Sequence, residues 1–364
     1  DTALSDMIAL EPQAAEAVLF MNTPMANVEE KERFTIEVSA GTDAYGNPAS
    51  GVIPNKLTVA VEHPGTGGSV LVGDKEALVI NGIARFTDLS LISISQGVTL
   101  RFSDGKNVLV TDPFDVTGLY SRGNGEVDNP YIIETYEQLS AIRNNLNRHF
   151  QLGADIVMPD RVEDYDTPGG WVPIGQDFGV ALVGSFLGLR HTICSLTIKK
   201  KADDGASSLG LFSTVSGGTI RNLKLVNVNI SSPERGQNIG ALSGWLGGDS
   251  VVTNVTASGQ VEGVSNVGGL VGRNSGTIKD SSANVKVIGD SEVGGFVGYN
   301  IATVERSFAT GDVSGSNNIG GFIGFNGMTS TLKEVFAIGN VSGREKVGGL
   351  VGVNQGNISN AYAT

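Results

Sequence analysis

Four carboxylates fall within seven residues at Asp160-Arg-Val-Glu-Asp-Tyr-Asp166. Asp160, Glu163, Asp164 and Asp166 offer the hard oxygen donors that Ca²⁺ takes, so calcium is the one cofactor the sequence suggests. Their spacing matches no EF-hand loop, and a solvated acidic loop accounts for the same residues; both readings stand. Elsewhere the chain holds no H-E-x-x-H, no phosphate-binding G-x-x-x-x-G-K-[ST] and no G-x-S-x-G. His63, His149 and His191 lie in three separate segments, and no catalytic residue is assigned. Cys194 is the only cysteine, which excludes a disulfide framework and a cysteine-based zinc site. Within the alternating stretch Thr192–Thr197 it reads as a small core residue.

Charge narrows the partners. The net charge of −13 opposes binding to nucleic acid, which needs a basic face to displace counterions. The largest basic cluster, Lys199-Lys200-Lys201, ends a strand-like stretch and reads as a solvated edge. No apolar run reaches the length of a membrane span. An acidic surface suits an extracellular or cell-surface protein, with a glycan or an extracellular or host protein as partner.

The elements that would position any site come from a repeat. Val267-Gly-Gly-Leu-Val-Gly-Arg-Asn274 recurs as Val293-Gly-Gly-Phe-Val-Gly-Tyr-Asn300, Ile319-Gly-Gly-Phe-Ile-Gly-Phe-Asn326 and Val347-Gly-Gly-Leu-Val-Gly-Val-Asn354. The steps are 26, 26 and 28 residues. Fainter copies begin at Ile239 and Leu209. Between the anchors, Thr277–Asn284 aligns with Thr303–Thr310 and Thr331–Ile338, each followed by a short alternating piece ending in glycine. Alternation with period two, and 51 glycines in 364 residues, argue for short strands and tight turns rather than helices.

A unit of this length with three strand-like pieces fits one coil of a parallel β-helix, which buries its apolar side only when units stack. Parallel connections are almost always right-handed, and the expected solenoid follows that rule. Stacking aligns equivalent residues. Leu270, Phe296, Phe322 and Leu350 form an internal column, with Val271, Val297, Ile323 and Val351 next along the same strands. Asn274, Asn300, Asn326 and Asn354 form another, either as residues in a left-handed turn or as a ladder of stacked amides. The outward columns Gln260–Lys286–Asp312–Asn340 and Asn254–Asp280–Arg306–Glu334 are mixed in charge. The second predicts a cross-coil charge ladder, and neither column collects the paired carboxylates of a glycoside-cleaving site.

Upstream, the capping-box pattern Thr135-x-x-Gln138 opens a helix near Tyr136–Asn147, with Leu139, Ile142 and Leu146 on one face. It is placed to cover the solenoid's open end. The first 117 residues lack the repeat. Strand-like stretches such as Phe34–Val38, Leu57–Val61 and Val98–Phe102, separated by turns at Tyr45-Gly-Asn-Pro48, Pro64-Gly65 and Asn81-Gly82, suggest a β-sandwich of about seven strands. The expected organisation is therefore all-β, with residues 1–117 a sandwich and residues 118–364 a β-helix with a short capping helix.

The Gly-Gly-Leu-Val-Gly-x-Asn core resembles the GLUG repeat of bacterial surface proteins, among them adhesin-like proteins and non-catalytic regions of some immunoglobulin-A-cleaving metallopeptidases. Gly123–Tyr131, Glu137-Gln-Leu139, Asn145-Leu146, Ala154-Asp155, Trp171–Gly175 and His191–Ile193 resemble the segment that leads into such repeats. The sequence departs at Leu187-Gly-Leu-Arg190, where that segment often has an Asp/Gly/Asn-rich turn. Asp43–Pro48 and Asn81–Phe86 resemble bacterial immunoglobulin-like domains. The resemblance implies a structural or adhesive segment of a secreted or cell-surface bacterial protein, not an enzyme. A carbohydrate-active β-helix, a lyase or glycoside hydrolase, is the alternative. The sequence stops at Asn360-Ala-Tyr-Ala-Thr364, inside a repeat; this predicts further repeats or a further domain beyond it and self-association of the piece through its last coil.

Overall fold

The computed structural model describes residues 18–21, 25–42, 54–159, 161–165, 169–175, 180–201 and 208–364. It divides into two compact units, Asp1–Asn124 and Gly125–Thr364.

The first unit is a β-rich domain with ten strands among its described residues. Strands Val18–Met21, Phe34–Thr42, Ile83–Ile92, Glu76–Ile80, Lys56–Pro64, Ser95–Ser103, Phe114–Thr117 and Val28–Glu29 are hydrogen-bonded in that order. Val70–Val72 pairs with Ile83–Ile92, and Val108–Val110 with Ser95–Ser103. Residues with alternate side chains inward build the core: Ile36, Val38, Val59, Phe86, Leu100 and Phe102. The turn expected at Asn81-Gly82 joins two antiparallel strands, with φ of 52° and 78° at its two residues. Both are left-handed, as a two-residue hairpin turn requires. The short strands Val28–Glu29, Val70–Val72, Glu76–Ile80 and Val108–Val110 escaped the sequence reading because they are too short to show a period. The turn read at residues 45–48 lies outside the described residues.

The second unit is a β-solenoid of about six turns. Every named strand pairing in it is parallel, and the register is broken once, between Leu225 and Val228 where Thr219–Ser231 pairs with Val251–Glu262. Its strands fall into a long sheet of 15 strands, one of six and one of five. The Gly-Gly anchor spans two strands with a tight turn at its glycine pair, Ser265–Gly268 in the five-stranded sheet and Val271–Asn274 in the six-stranded sheet. The chain bends between them at Gly269-Leu270. That corner lets two consecutive residues, Leu270 and Val271, both point inward and become fully buried.

The corner explains the glycines. None of Gly268, Gly269 and Gly272 has positive φ; each is needed because a Cβ would overlap backbone. At Gly269 it would strike the carbonyl oxygen of Gly295 one coil on, and at Gly272 the backbone of Asn238 in the facing sheet. The same clashes recur at Gly295 and Gly298, then at Gly321 and Gly324. The five- and six-stranded sheets thus meet backbone to backbone. The remaining width is filled by the column Leu270, Phe296, Phe322, Leu350, fully buried in its first three members. Phe296 and Phe322 stack with centroids 4.8 Å apart and planes 11° from parallel.

Two expectations upstream need correction. The helix is shorter: α-helix Tyr136–Ala141 gives way to a 3-10 turn at Ile142–Asn144. The asparagines at 144, 145 and 147 compete for backbone hydrogen bonds and end it. Leu139 and Ile142 are buried as expected, but Leu146 lies beyond the helix and is half-buried. The Thr135 hydroxyl accepts from the Gln138 amide, while Gln138 Oε1 accepts from the Glu134 amide rather than from Thr135. The helix also lies inside the solenoid's path, as the crossover between the parallel strands Tyr131–Ile133 and Phe150–Leu152. The second correction concerns Cys194. It is half-buried, because Ile193 takes the inward position on strand Thr192–Cys194 and alternation turns the thiol outward.

Phe322→Asp places a charge in the stacked column without a partner, and is expected to cost more than about 4 kcal/mol. Phe322→Leu, a residue the column already accepts at position 270, should cost a fraction of that. Melting curves of the two variants check this; equal melting temperatures would overturn the column.

Candidate functional site

The asparagine column is an amide ladder. The Asn274 amide donates to Asn300 Oδ1 at 2.8 Å, Asn300 to Asn326 at 2.9 Å and Asn326 to Asn354 at 2.7 Å. Asn274, Asn300 and Asn326 are fully buried. The side-chain oxygens of Asn274, Asn300 and Asn354 also accept from the backbone amides two residues on, those of Gly276, Ala302 and Gly356. None of these asparagines has positive φ, so the left-handed alternative is set aside. Their buried, mutually satisfied amides serve the structure and offer nothing to a ligand.

Left-handed residues occupy two other columns. Asn222, Asn254, Asp280, Arg306, Glu334 and Asn360 have φ between 46° and 55°. Asn238, Asn266, Glu292, Asn318 and Lys346 have φ between 50° and 57°. Such a residue costs roughly 1–2 kcal/mol when it is not glycine or asparagine, so stacking must enforce it. The recurring asparagines in both columns were the available signal. Leu189 and Arg190, at the departure from the family-like turn, are also left-handed, with φ of 49° and 74°.

The first left-handed column carries the expected charge ladder in part. Arg306 donates to both carboxylate oxygens of Asp280, at 2.7 and 3.0 Å. Glu334 instead faces Lys333, and the centre of the network is Glu305, which pairs with Lys279, Arg306 and Lys333. The hydrogen bond from Arg306, aided by its charge, holds the Asp280 carboxyl below the usual range. The Lys279 hydrogen bond does the same for Glu305. In the other mixed column, Asp312 accepts from both the backbone and side chain of Asn340. These carboxylates are held by cations and amides rather than paired with each other; Asp280 and Glu334 share a column but are separated by the Arg306 rung.

The outward face of the six-stranded sheet is different. Its register aligns Thr214, Trp245, Arg273, Tyr299, Phe325 and Val353 in one column. These are the variable positions beside the repeat's last glycine, and sequence reading passed over them. Tyr299 and Phe325 stack at 4.9 Å, within 5° of parallel. The Arg273 guanidinium lies 5.2 Å from the Tyr299 ring centre and 5.9 Å from that of Trp245, within cation–π range. A second ladder, Phe308–Phe336–Tyr362, stacks at 4.7 and 5.2 Å on the long sheet. Beside Trp245 a groove of about 580 Å³ opens, walled by Leu146, Val183, Thr214, Ser216 and Gly247.

Of the acidic cluster, Asp160 and Asp166 lie outside the described residues. Glu163 and Asp164 sit on the 3-10 turn Val162–Asp164, and Glu163 pairs with Arg161 at 2.8 Å. Among the described residues no group of three or more His, Cys, Asp or Glu converges. The three histidines remain apart: His191 contacts Asp155 at 3.2 Å, His149 contacts Ser185 at 3.0 Å, and His63 accepts from the Gly65 amide. Among the described residues no helix is long and apolar enough to cross a membrane.

Asn300→Ala should cost roughly 2–5 kcal/mol, because it strands a donor on Asn274 and an acceptor on Asn326 in the interior; denaturant unfolding measures it. Acid should weaken the Asp280–Arg306 link. A depressed folded pKa gives stability that is present above the unfolded carboxylate value, near 3.9, and lost as pH falls through the folded value. The small gap in melting temperature between the protein and Arg306→Gln should therefore hold from pH 7 to about pH 4 and narrow progressively as pH falls below it. A gap that stays constant would remove this assignment.

Residues 126–259 match the family described as the M26 IgA1-specific metallo-endopeptidase N-terminal region, and residues 263–288 and 289–314 match the GLUG motif. Halomucin of Haloquadratum walsbyi is 34% identical over 188 residues, which is 50% of this chain and 2% of halomucin. A protein of Evansella cellulosilytica named "Putative Gly-rich membrane protein" is 36% identical over 195 residues, 44% of this chain and 21% of that protein. The crystal structure of a "putative immunoglobulin A1 protease" from Bacteroides ovatus superposes with a TM-score of 0.53 at 26% identity, covering 68% of this chain and 78% of that one. The chain thus spans a small part of the curated relatives it matches. Its solenoid carries GLUG-motif repeats behind a region like the N-terminal region of the IgA1-specific metallo-endopeptidases.

Proposed function

We propose that this chain is a non-catalytic segment of a bacterial cell-surface protein, a stiff solenoid that presents its outer faces to a glycan or an extracellular protein. The observation that carries the reading is the pair of outward aromatic columns, Trp245–Arg273–Tyr299–Phe325 and Phe308–Phe336–Tyr362. Aromatic side chains half-exposed in register along several coils are what a repetitive ligand needs and what a spacer does not. The acidic balance, the membrane protein among the relatives and the match to a peptidase's N-terminal region support a surface location and a role beside, rather than in, catalysis. The outward carboxylates of Asp280 and Glu305 are engaged by Lys279, Arg306 and Lys333, which favours binding over glycoside cleavage at that face.

A glycan and matrix-protein array probed with the whole chain is expected to give saturable binding. The same acidic polysaccharides incubated with it should remain uncut. No binding on either array would remove the adhesive reading, and sustained turnover abolished by one carboxylate substitution would replace it with the enzyme.

A further inference from the structure

Two buried polar groups of the solenoid lack hydrogen-bond partners one rung either side of the same indole. Thr214 and Arg273 flank Trp245 in a single register column. Thr214 is 3% exposed, lines the groove, and its hydroxyl has no partner. Arg273 Nε is buried without a partner, and among the described residues no carboxylate pairs with its guanidinium. Orphaned buried groups are uncommon and call for an explanation. In a chain of net charge −13, an arginine left without a counter-ion between two aromatic rings is more uncommon still.

The three neighbours supply complementary chemistry. The groove walls, Leu146, Val183 and the Trp245 side chain, are apolar and wide enough for one ring of a sugar. Thr214 and the exposed Ser216 offer hydroxyls at the same wall. Arg273 offers a planar cation, suited to bidentate pairing with a carboxylate or sulfate. Beyond it the stacked Tyr299 and Phe325 continue the column along the solenoid axis. Proline-rich peptides also dock on aromatic-lined grooves, but they carry no regular anion to meet Arg273. A chain of pyranoses, apolar on ring faces, hydroxylated at the edges and acidic at intervals, matches this order of features.

We propose that the Thr214–Trp245–Arg273 face binds an acidic polysaccharide, with a pyranose ring in the groove against Trp245, a hydroxyl on Thr214, and a carboxylate or sulfate on Arg273. This rests on the adhesive reading above and names its site and ligand class. Salt screens the Arg273 pairing and the repulsion from the chain's net charge of −13 alike, so the loss caused by Arg273→Gln should shrink as ionic strength rises.

Calorimetric titration of the whole chain tests it with three probes: an oligogalacturonate, a sulfated oligosaccharide, and a neutral β-linked oligosaccharide of similar length. At least one anionic probe should bind ten-fold or more tightly than the neutral one. Arg273→Gln should remove that preference, and Trp245→Ala should weaken all probes that bind. Thr214→Val, nearly isosteric, should weaken binding with a melting temperature no lower than the parent's, since it removes an unpaired buried hydroxyl. Lys286→Gln, which removes an exposed cation on the long sheet, should leave binding intact. Which anionic probe binds identifies the acid group. Equal affinity for the neutral probe, or Arg273→Gln binding as the parent does, overturns the proposal. Binding of the parent chain to proteins alone on the arrays also overturns it while leaving the adhesive reading standing; silence on every array removes both.

Discussion

The whole solenoid depends on one steric constraint: at the Gly-Gly corner and at the glycine three residues on, there is no room for a Cβ. Gly269 abuts the next coil, and Gly272 abuts the facing sheet. Where backbone meets backbone, neither sheet can slide or rotate, because any shift drives carbonyls into one another. The cross-section of each coil is thereby set, and so is the register between coils. Everything that recurs in columns follows from that. The phenylalanines stack face to face because their strands superpose, and the asparagine amides sit close enough to pass hydrogen bonds from coil to coil.

The same constraint accounts for the strain. A charged residue such as Glu292, Arg306 or Lys346 does not choose a left-handed conformation on its own preferences. It adopts one because the coils before and after it pass through the same bend, and the parallel hydrogen bonds on both sides are satisfied only there. In some coils asparagine fills the position and the cost is small. In others the side chain is spent on the surface network around Glu305, where solvent screens each link and no single pair matters much.

The legible part of this architecture was the part that repeats. The steps of 26 and 28 residues gave the columns, and the columns gave the buried Leu270–Phe322 series and the Asn274–Asn354 ladder before any coordinates. What stayed hidden has physical reasons. The corner at Gly269-Leu270 splits one sequence motif between two sheets, and period-two alternation cannot reveal that two adjacent side chains both turn inward there. Cys194 was misplaced by the same limit: alternation fixes that neighbours point oppositely, but not which of them faces in. The acidic stretch at residues 160–166 was the loudest chemical signal in the chain, and its described members, Glu163 and Asp164, lie on a short turn.

The binding column was hidden for the opposite reason: its residues differ. Trp245, Arg273, Tyr299, Phe325 and Val353 occupy the one position beside the ladder that the repeat leaves free, so a search for sameness discards them. A solenoid divides its positions sharply in this respect. Inward positions are held alike by contact with the coils above and below, and outward positions feel only their flanking rungs. Variation at an outward position is therefore cheap for the fold. A run of large aromatics and one unpaired cation there gains the coil little, since half of each ring still meets water. Arg273 illustrates the balance: its guanidinium gains a cation–π contact on each side, yet leaves Nε without a partner that any nearby carboxylate could have supplied. Two such under-satisfied groups, Thr214 and Arg273, fall on one column beside one groove, and that coincidence is what sets this face apart from the paired ladders around it.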